Sequence, residues 1–360
     1  MNQLSERDVV EERKLRAEQA TEWYVTKRSA YEDLASNVAS IIRGVLNQKE
    51  INYHTITSRV KDVERYRDKA IKYENPRSQI MDMAGVRIIT YIDSEAKKVE
   101  EVVKSLFEIK PEFSIDKAKE LETNKVGYRS IHCICTLGKN RLALIENAIY
   151  ADMLFEIQIR TILQHAWAEF EHDRNYKFKG ILPDEIKRRL FIVAGNLELM
   201  DWTFGSISKE IDQYATEVEK KYASGDLTTA ITSASLRIYL FQRFKKLFES
   251  GLKPDFNAED DIKVISELSV MGIKTLEQLD AKIPDDFVEV TINCHLDTSI
   301  LGLIRYIMII SNADDYFAKA WDESWKHVDR GALDLFKHYH ISEEDLREYL
   351  RRRGGTVTMR

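Results

Sequence analysis

Residues 153–161 read Met-Leu-Phe-Glu-Ile-Gln-Ile-Arg-Thr, and a helical pattern takes over directly behind them. Phe155, Ile157 and Ile159 alternate with Glu156, Gln158 and Arg160, so a strand here has one apolar and one polar face. The helix expected over Thr161–Tyr176 carries His165, Glu169, His172 and Asp173 on neighbouring turns. Ionisable groups gathered beside sheet core lower stability unless a ligand uses them. This junction therefore constrains both the fold, which must contain a sheet with a helix against it, and the place where chemistry occurs.

The rest of the chain supplies the elements that such a sheet needs. Residues 3–48 are rich in Glu, Lys, Arg and Ala, with Leu34, Val38, Ile41, Ile42 and Val45 at helical spacing, which predicts one or two amphipathic helices. Tyr53–Lys61 reads as a strand and Val63–Tyr73 as a charged helix broken by Asn75-Pro76. Further strands are expected over Val86–Ile92 and Ser130–Leu137, with a helix from Glu95 to Phe107. A long helix should run from Pro183 to near Tyr222. Strands and helices alternate irregularly, so the expected class is α+β: a mixed sheet flanked by helices rather than a doubly wound parallel one.

A change of composition near Ala223-Ser-Gly-Asp226 divides the chain. The expected organisation is N-terminal helices over 1–50 packed on a core domain of 51–223, then a mostly helical accessory domain over 224–360. Within the last part, Leu227–Ser250 reads as helix, Asp261–Ile283 as two short helices around Met271-Gly272, and Ile300–Ile310 as a buried helix. Phe287–Cys294 alternates and reads as a short strand, and Ser342 with Asp345 makes a cap before Leu346–Arg352.

Composition narrows the class. A net charge of −6 excludes a chain that coats nucleic acid over its whole surface and leaves room for a local basic pocket. Three cysteines point to a reducing compartment; Cys133 and Cys135 share one strand face and read as core, since a metal site needs more ligands than these and the distant Cys294. The N-terminus has no apolar signal region, and the run Ile300–Ile310 contains Arg305 and is too short to span a bilayer. The expectation is a cytoplasmic protein with no membrane partner.

Four segments carry chemistry. Arg59 and Lys61 sit two apart and point the same way, and Lys69 follows on the next helix; three converging cations suit a triphosphate, and the alternative is a solvated charged face. Asp82 lies just before the strand that contains Arg87. A carboxylate opposite phosphate-binding cations is where Mg²⁺ would be held, the alternative being a turn cap. Arg87, among apolar residues, needs a partner, and an adenine face or a phosphate is one. In Gly127-Tyr128-Arg129-Ser130-Ile131-His132, Tyr128 offers a flat face for a purine, and His132 falls on the side of Ser130 with Arg129 opposite. Glu156, Gln158 and Arg160 make the floor for a polar ligand; Glu156 could take a proton from a ribose hydroxyl, bind the metal, or simply pair with arginine on an exposed face. On the helix, His165, Glu169 and His172 share a face. A wall for an acceptor nucleotide with Lys177 near its phosphates, or a zinc face, are the readings of that side.

Taken in order, these segments resemble the synthetase domain of the RelA/SpoT family over roughly Tyr53–Phe204. The resemblance implies a nucleotidyltransferase-like synthetase fold and transfer of pyrophosphate from ATP to a nucleotide 3′-hydroxyl. It implies that Arg59 and Arg87 sandwich the adenine of ATP, that Lys61 and Lys69 hold its phosphates, and that Asp82 and Glu156 are the catalytic and magnesium carboxylates. Tyr128, Arg129, His132, Gln158, His165, Glu171 and Lys177 fall in the acceptor site, with Tyr128 stacking on guanine; at His165 small synthetases commonly carry Asn. No hydrolase half and no ribosome-coupling module is recognised, so the chain looks like a small synthetase with a helical extension. Its expected partners are ATP and GDP or GTP, with (p)ppGpp as product. Toxin-type members of the family act instead on the 3′ end of tRNA or on adenine nucleotides, and an inactive nucleotide-binding regulator is a third reading. Residues 224–360 are left for a homo-oligomer contact or a protein partner.

Overall fold

The computed structural model describes residues 6–116, 130–177, 182–252, 258–296, 298–321 and 328–351. They form two compact units, Met1–Ser208 and Lys209–Arg360. The division falls inside one helix, Asp184–Ala223, whose C-terminal end is where the composition changes.

The first unit is a mixed sheet with helices on it, the α+β architecture expected. Its strands are β1 (Thr55–Val60), β2 (Ala84–Thr90), β3 (Glu108–Ile109), β4 (Ile115–Asp116), β5 (Ile131–Thr136) and β6 (Phe155–Thr161), in the order β1-β2-β6-β5-β3 with β4 also on β5. Among the described residues only β2 and β6 run parallel; the other pairings are antiparallel. The helices are α1 (Glu6–Gln48), α2 (Val63–Ala70), α3 (Pro76–Gln79), α4 (Asp93–Leu106), α5 (Lys139–Leu142), α6 (Ile162–Lys177) and α7 (Asp184–Ala223).

One face of the sheet is the core. Val86, Ile88, Phe155, Ile157, Ile159 and Cys135 are buried there, with Val99 and Val103 of α4 and with Leu34, Val38, Ile42 and Leu46 of α1. The sequence left open whether 3–48 forms one helix or two; α1 is a single helix of 43 residues, since no Gly or Pro interrupts it before Gly44. Its tyrosines reach the sheet end: Tyr24 stacks on Tyr66 of α2 at 4.3 Å, and its hydroxyl donates to the Lys61 carbonyl at 2.5 Å.

The strand-to-helix switch after β6 needs no loop because Thr161 caps α6. Its Oγ1 accepts from the Gln164 N–H at 3.1 Å, and Gln164 Oε1 accepts from the Thr161 N–H at 3.0 Å, a reciprocal capping box. The Thr161 hydroxyl also donates to buried Asp201 of α7 at 2.7 Å.

The second unit is helical among its described residues: α8 (Ser233–Arg243), α9 (Lys245–Glu249), α10 (Ala258–Val270), α11 (Leu276–Asp280), α12 (Phe287–Asn293), α13 (Ile300–Ser311), α14 (Arg330–His338) and α15 (Glu343–Arg351), with short helical segments at Ala313–Asp315 and Tyr316–Ala320. Arg305, within the apolar α13, is satisfied by Glu267 at 2.8 Å, and Tyr316 donates to the same carboxylate at 3.0 Å. Two expectations are corrected here. Phe287–Cys294 is helix, not strand: Phe287 and Thr291, four apart, are the buried pair, so the period is helical despite the β-branched alternation. Helix also does not cover all of 227–250, since Thr232 caps α8 and Phe244 separates it from α9. No helix among the described residues is long and apolar enough to cross a membrane.

Leu34 is fully buried between α1 and the sheet. Leu34→Ala should lower stability by about 2–5 kcal/mol in urea unfolding. A loss under about 1 kcal/mol would mean that α1 does not pack as part of this core.

Candidate active site

The polar face of the sheet is organised by register. Arg59 of β1 pairs with Gly85 of β2, Gly85 with Glu156 of β6, and Glu156 with Ile134 of β5. The next row on that face is Thr57, Arg87, Gln158 and His132. Directly paired residues project to the same side, so four strands present Arg59, Arg87, Glu156, Gln158 and His132 together. Gly85 matters here: a Cβ on it would lie 3.3 Å from Arg59 Nε and 3.4 Å from Arg59 Cγ. The missing side chain lets Arg59 lie across β2, and its guanidinium comes within 3.9 Å of Glu156 on the following strand.

Glu156 is buried and held at both oxygens. His132 Nδ1 is 2.8 Å from Oε1, and Gln158 Nε2 donates to Oε2 at 2.8 Å. An ionised carboxylate only accepts, so Nδ1 carries the proton; His132 Nε2 then meets the Ser130 hydroxyl at 2.7 Å. Burial alone would raise the Glu156 pKa, but the His132 and Gln158 hydrogen bonds outweigh it and hold the carboxyl below its ordinary value.

Asp82 sits just before β2. Lys61 donates to its Oδ2 at 2.6 Å and Lys69 of α2 to its Oδ1 at 3.0 Å. Here too burial pushes the pKa up, and the two lysines more than reverse it. Asp82 and Glu156 are close enough to feel each other: the Asp82 charge opposes ionisation of Glu156.

Helix α6 covers the far end of the face. Arg87 donates to Glu169 Oε1 at 2.9 Å, and His165 Nδ1 lies 3.7 Å from the same oxygen. Burial first, and then the charge of Arg87, lower the His165 pKa, so the imidazole is neutral near pH 7. The partner of Arg87 is therefore Glu169, which the sequence offered as part of an acceptor wall or a zinc face. Among the described residues no three His, Cys, Asp or Glu side chains gather as a metal cluster, and the His172 side chain lies outside the described residues.

The structure thus brings Arg59, Lys61, Lys69, Asp82, Arg87, His132, Glu156, Gln158 and His165 to one face. Glu171 is exposed on α6. Tyr128 and Arg129 lie outside the described residues, as does the side chain of Lys177. The pairing of Glu156 with Arg160 that the alternation allowed does not form: Glu156 takes His132, Gln158 and Arg59 instead. Gly85 was missed as a contributor, and Glu169 was missed as the partner of Arg87. A glycine inside an apolar strand is a signal for close approach of another group and could have flagged Gly85. Nothing local in the sequence could pair Arg87 with a residue 82 positions away.

The donor set fits a hard divalent cation. Asp82 and Glu156 offer carboxylate oxygens with no thiolate nearby in the cleft, and two protein ligands suit Mg²⁺, which completes its octahedron with water and substrate phosphate. Binding there would require Lys61 and Lys69 to loosen from Asp82, and incoming phosphate oxygens provide their replacement partners.

A family profile described as "Region found in RelA / SpoT proteins" matches residues 58–181, which hold every element of this face from the end of β1 through α6. Among curated proteins, the GTP pyrophosphokinase YwaC of Bacillus subtilis (strain 168) is 32% identical over 163 residues, covering 43% of this chain and 73% of that protein. The GTP pyrophosphokinase YjbM of the same organism is 27% identical over 171 residues, covering 46% of this chain and 77% of that one. The solved structure of small alarmone synthetase 1 from Bacillus subtilis aligns at 24% identity with a TM-score of 0.45, over 53% of this chain and 98% of the other.

The lowered pKa of Asp82 has a sign that can be tested. Its ion pairs contribute stability in full above the ordinary aspartate value of 3.8, and this is lost as pH falls through the lower folded value. The stability difference between wild type and Asp82→Asn, measured by denaturant unfolding, should be constant from pH 5 to 8 and shrink below pH 3.8. A difference that already vanishes near pH 6 would contradict the two-lysine clamp.

Proposed function

The chain belongs to the RelA/SpoT family, and from that premise we propose that it is a pyrophosphokinase moving the β,γ-pyrophosphate of ATP to the ribose 3′-hydroxyl of GDP or GTP. The observation that carries this reading is the pair of carboxylates, buried Glu156 and half-buried Asp82, whose charge Glu156 senses, on a face lined by Arg59, Lys61, Lys69 and Arg87. Phosphoryl-type transfer needs positioning and charge neutralisation more than covalent help, and this face offers both.

In the proposed reaction the acceptor 3′-oxygen forms a bond to the β-phosphorus while the bond from that phosphorus to the α,β-bridging oxygen breaks. AMP leaves with the electron pair, and the hydroxyl proton goes to Glu156. Glu156 suits this role because it is ionised at neutral pH and its orientation is fixed by His132 and Gln158. Asp82 and Glu156 would hold Mg²⁺, which when bound neutralises charge on the donor phosphates. Arg59 and Arg87, from neighbouring strands, are placed to grip the donor base between guanidinium planes, and Lys61 and Lys69 pass from Asp82 to its phosphates. For Arg87 this requires release from Glu169.

Guanine nucleotide is preferred to tRNA as acceptor. The basic run Lys187–Arg189, which could contact an RNA backbone, is offset on its own helix: Lys187 pairs with Asp184 and Arg189 with Glu185. The test is transfer from γ-labelled ATP to GDP, GTP, ATP or deacylated tRNA, each offered alone to the purified protein. Label on a guanine nucleotide supports the proposal; label on tRNA or an adenine nucleotide only, or nucleotide binding without transfer, contradicts it.

Glu156→Gln keeps the shape of the side chain and removes its basicity. It should lower the transfer rate by about 10²–10⁴-fold or more while leaving ATP affinity measured without Mg²⁺ nearly unchanged. Turnover close to wild type would show that Glu156 is not the base.

A further inference from the structure

The sheet face holds one cation beyond those that its own carboxylates engage. Arg59 reaches Glu156, Lys61 and Lys69 share Asp82, and Arg87 is on Glu169. Arg160 follows Gln158 by two residues on β6, in register with Ile89, and so projects to the same side. Among the described residues its side chain makes no ion pair, and its Nε is fully covered with no hydrogen-bond acceptor. Burial, then the nearby charges of Arg87 and Arg59, pull its pKa down to about 10. It remains charged at neutral pH, half-buried and beside like charges.

That arrangement is unfavourable, because Glu156 and Glu169 act on the charge only from beyond ion-pair distance, and a covered guanidinium N–H without a direct partner keeps much of its desolvation cost. Its neighbours share the condition. Arg87 Nε, Gln158 Oε1 and His165 Nδ1 are also covered and lack hydrogen-bond partners. Covered polar atoms without partners are uncommon in folded proteins, and here they collect on one face between β2, β6 and α6. Two of them are guanidinium N–H donors, which call for a strong oxygen acceptor, and phosphate matches a guanidinium in charge and geometry.

We propose that Arg160 is a substrate-binding residue whose guanidinium grips phosphate oxygens of a bound nucleotide at the α6 end of the cleft. The proposal rests on reading this face as a nucleotide site. The chemistry is the same whether the phosphate belongs to the donor or to the acceptor, and the experiment separates the two.

The experiment measures calorimetric binding of α,β-methylene-ATP and, separately, of GDP to wild type, Arg160→Met and Arg160→Lys, together with the ligand-free melting temperature of each. Arg160→Met should weaken at least one nucleotide by about 10-fold or more, and the nucleotide affected assigns the phosphate. Its ligand-free melting temperature should equal or exceed that of wild type, because a half-buried charge with no direct partner has been removed. Arg160→Lys should retain part of the affinity. A structural arginine predicts the opposite pattern, so Arg160→Met that fails to fold, or melts lower with both affinities unchanged, overturns the proposal. Wild-type affinities in a stable Arg160→Met overturn it as well. If wild type itself binds neither nucleotide, the reading of the face as a nucleotide site has failed and the assignment falls with it.

Discussion

The parallel pairing of β2 with β6 fixes which side chains meet. It sets Gly85 beside Glu156 and Arg87 beside Gln158, with Arg59 on one flank and His132 on the other. Because side chains alternate with a period of two, a slip by one residue would send Glu156, Gln158 and Arg160 into the apolar core and Ile157 and Ile159 to the cleft. The packing of Ile157 and Ile159 against α4 and α1 therefore enforces the same register that assembles the polar face. Core packing and site geometry are one constraint seen from two sides of the sheet. Gly85 is the point at which they touch: it leaves the opening over β2 through which Arg59 reaches Glu156.

The free protein tolerates so much buried charge because most of it is provisionally paired. Asp82 lies between two lysines, Glu156 between His132 and Gln158, and Arg87 on Glu169. Each of these pairings can be traded for a contact with substrate. Lysines leaving Asp82 find phosphate, and Asp82 freed of them is a metal ligand. The second set of supports lies behind the first. Tyr24 holds the Lys61 carbonyl, and Thr161 ties β6 both to the first turn of α6 and to Asp201. These contacts bear on the site through backbone position alone.

Much of this was legible in the chain. The alternation over 155–160 placed Glu156, Gln158 and Arg160 on one strand face, and the spacing of Arg59, Lys61 and Asp82 placed cations near a carboxylate. What the sequence withheld were contacts between distant segments. Periodicity says which face Arg87 occupies but not that Glu169 will meet it, and composition says that Arg160 is charged but not that its neighbours leave it unpaired. The misreading of Phe287–Cys294 has a different origin. Val288, Val290 and Ile292 at alternate positions favour a strand locally, whereas burial of Phe287 and Thr291, four apart, sets the period that wins.

The central claim is that Asp82, just ahead of β2, and Glu156, on β6, act on one ligand in one cleft. A double-mutant cycle with Asp82→Asn and Glu156→Gln, read out as the Mg²⁺-dependent part of α,β-methylene-ATP affinity, tests it most directly. A shared site predicts strong non-additivity, with a coupling of about 1 kcal/mol or more. Effects that add to within about 0.3–0.5 kcal/mol would mean that the two carboxylates serve independent ligands.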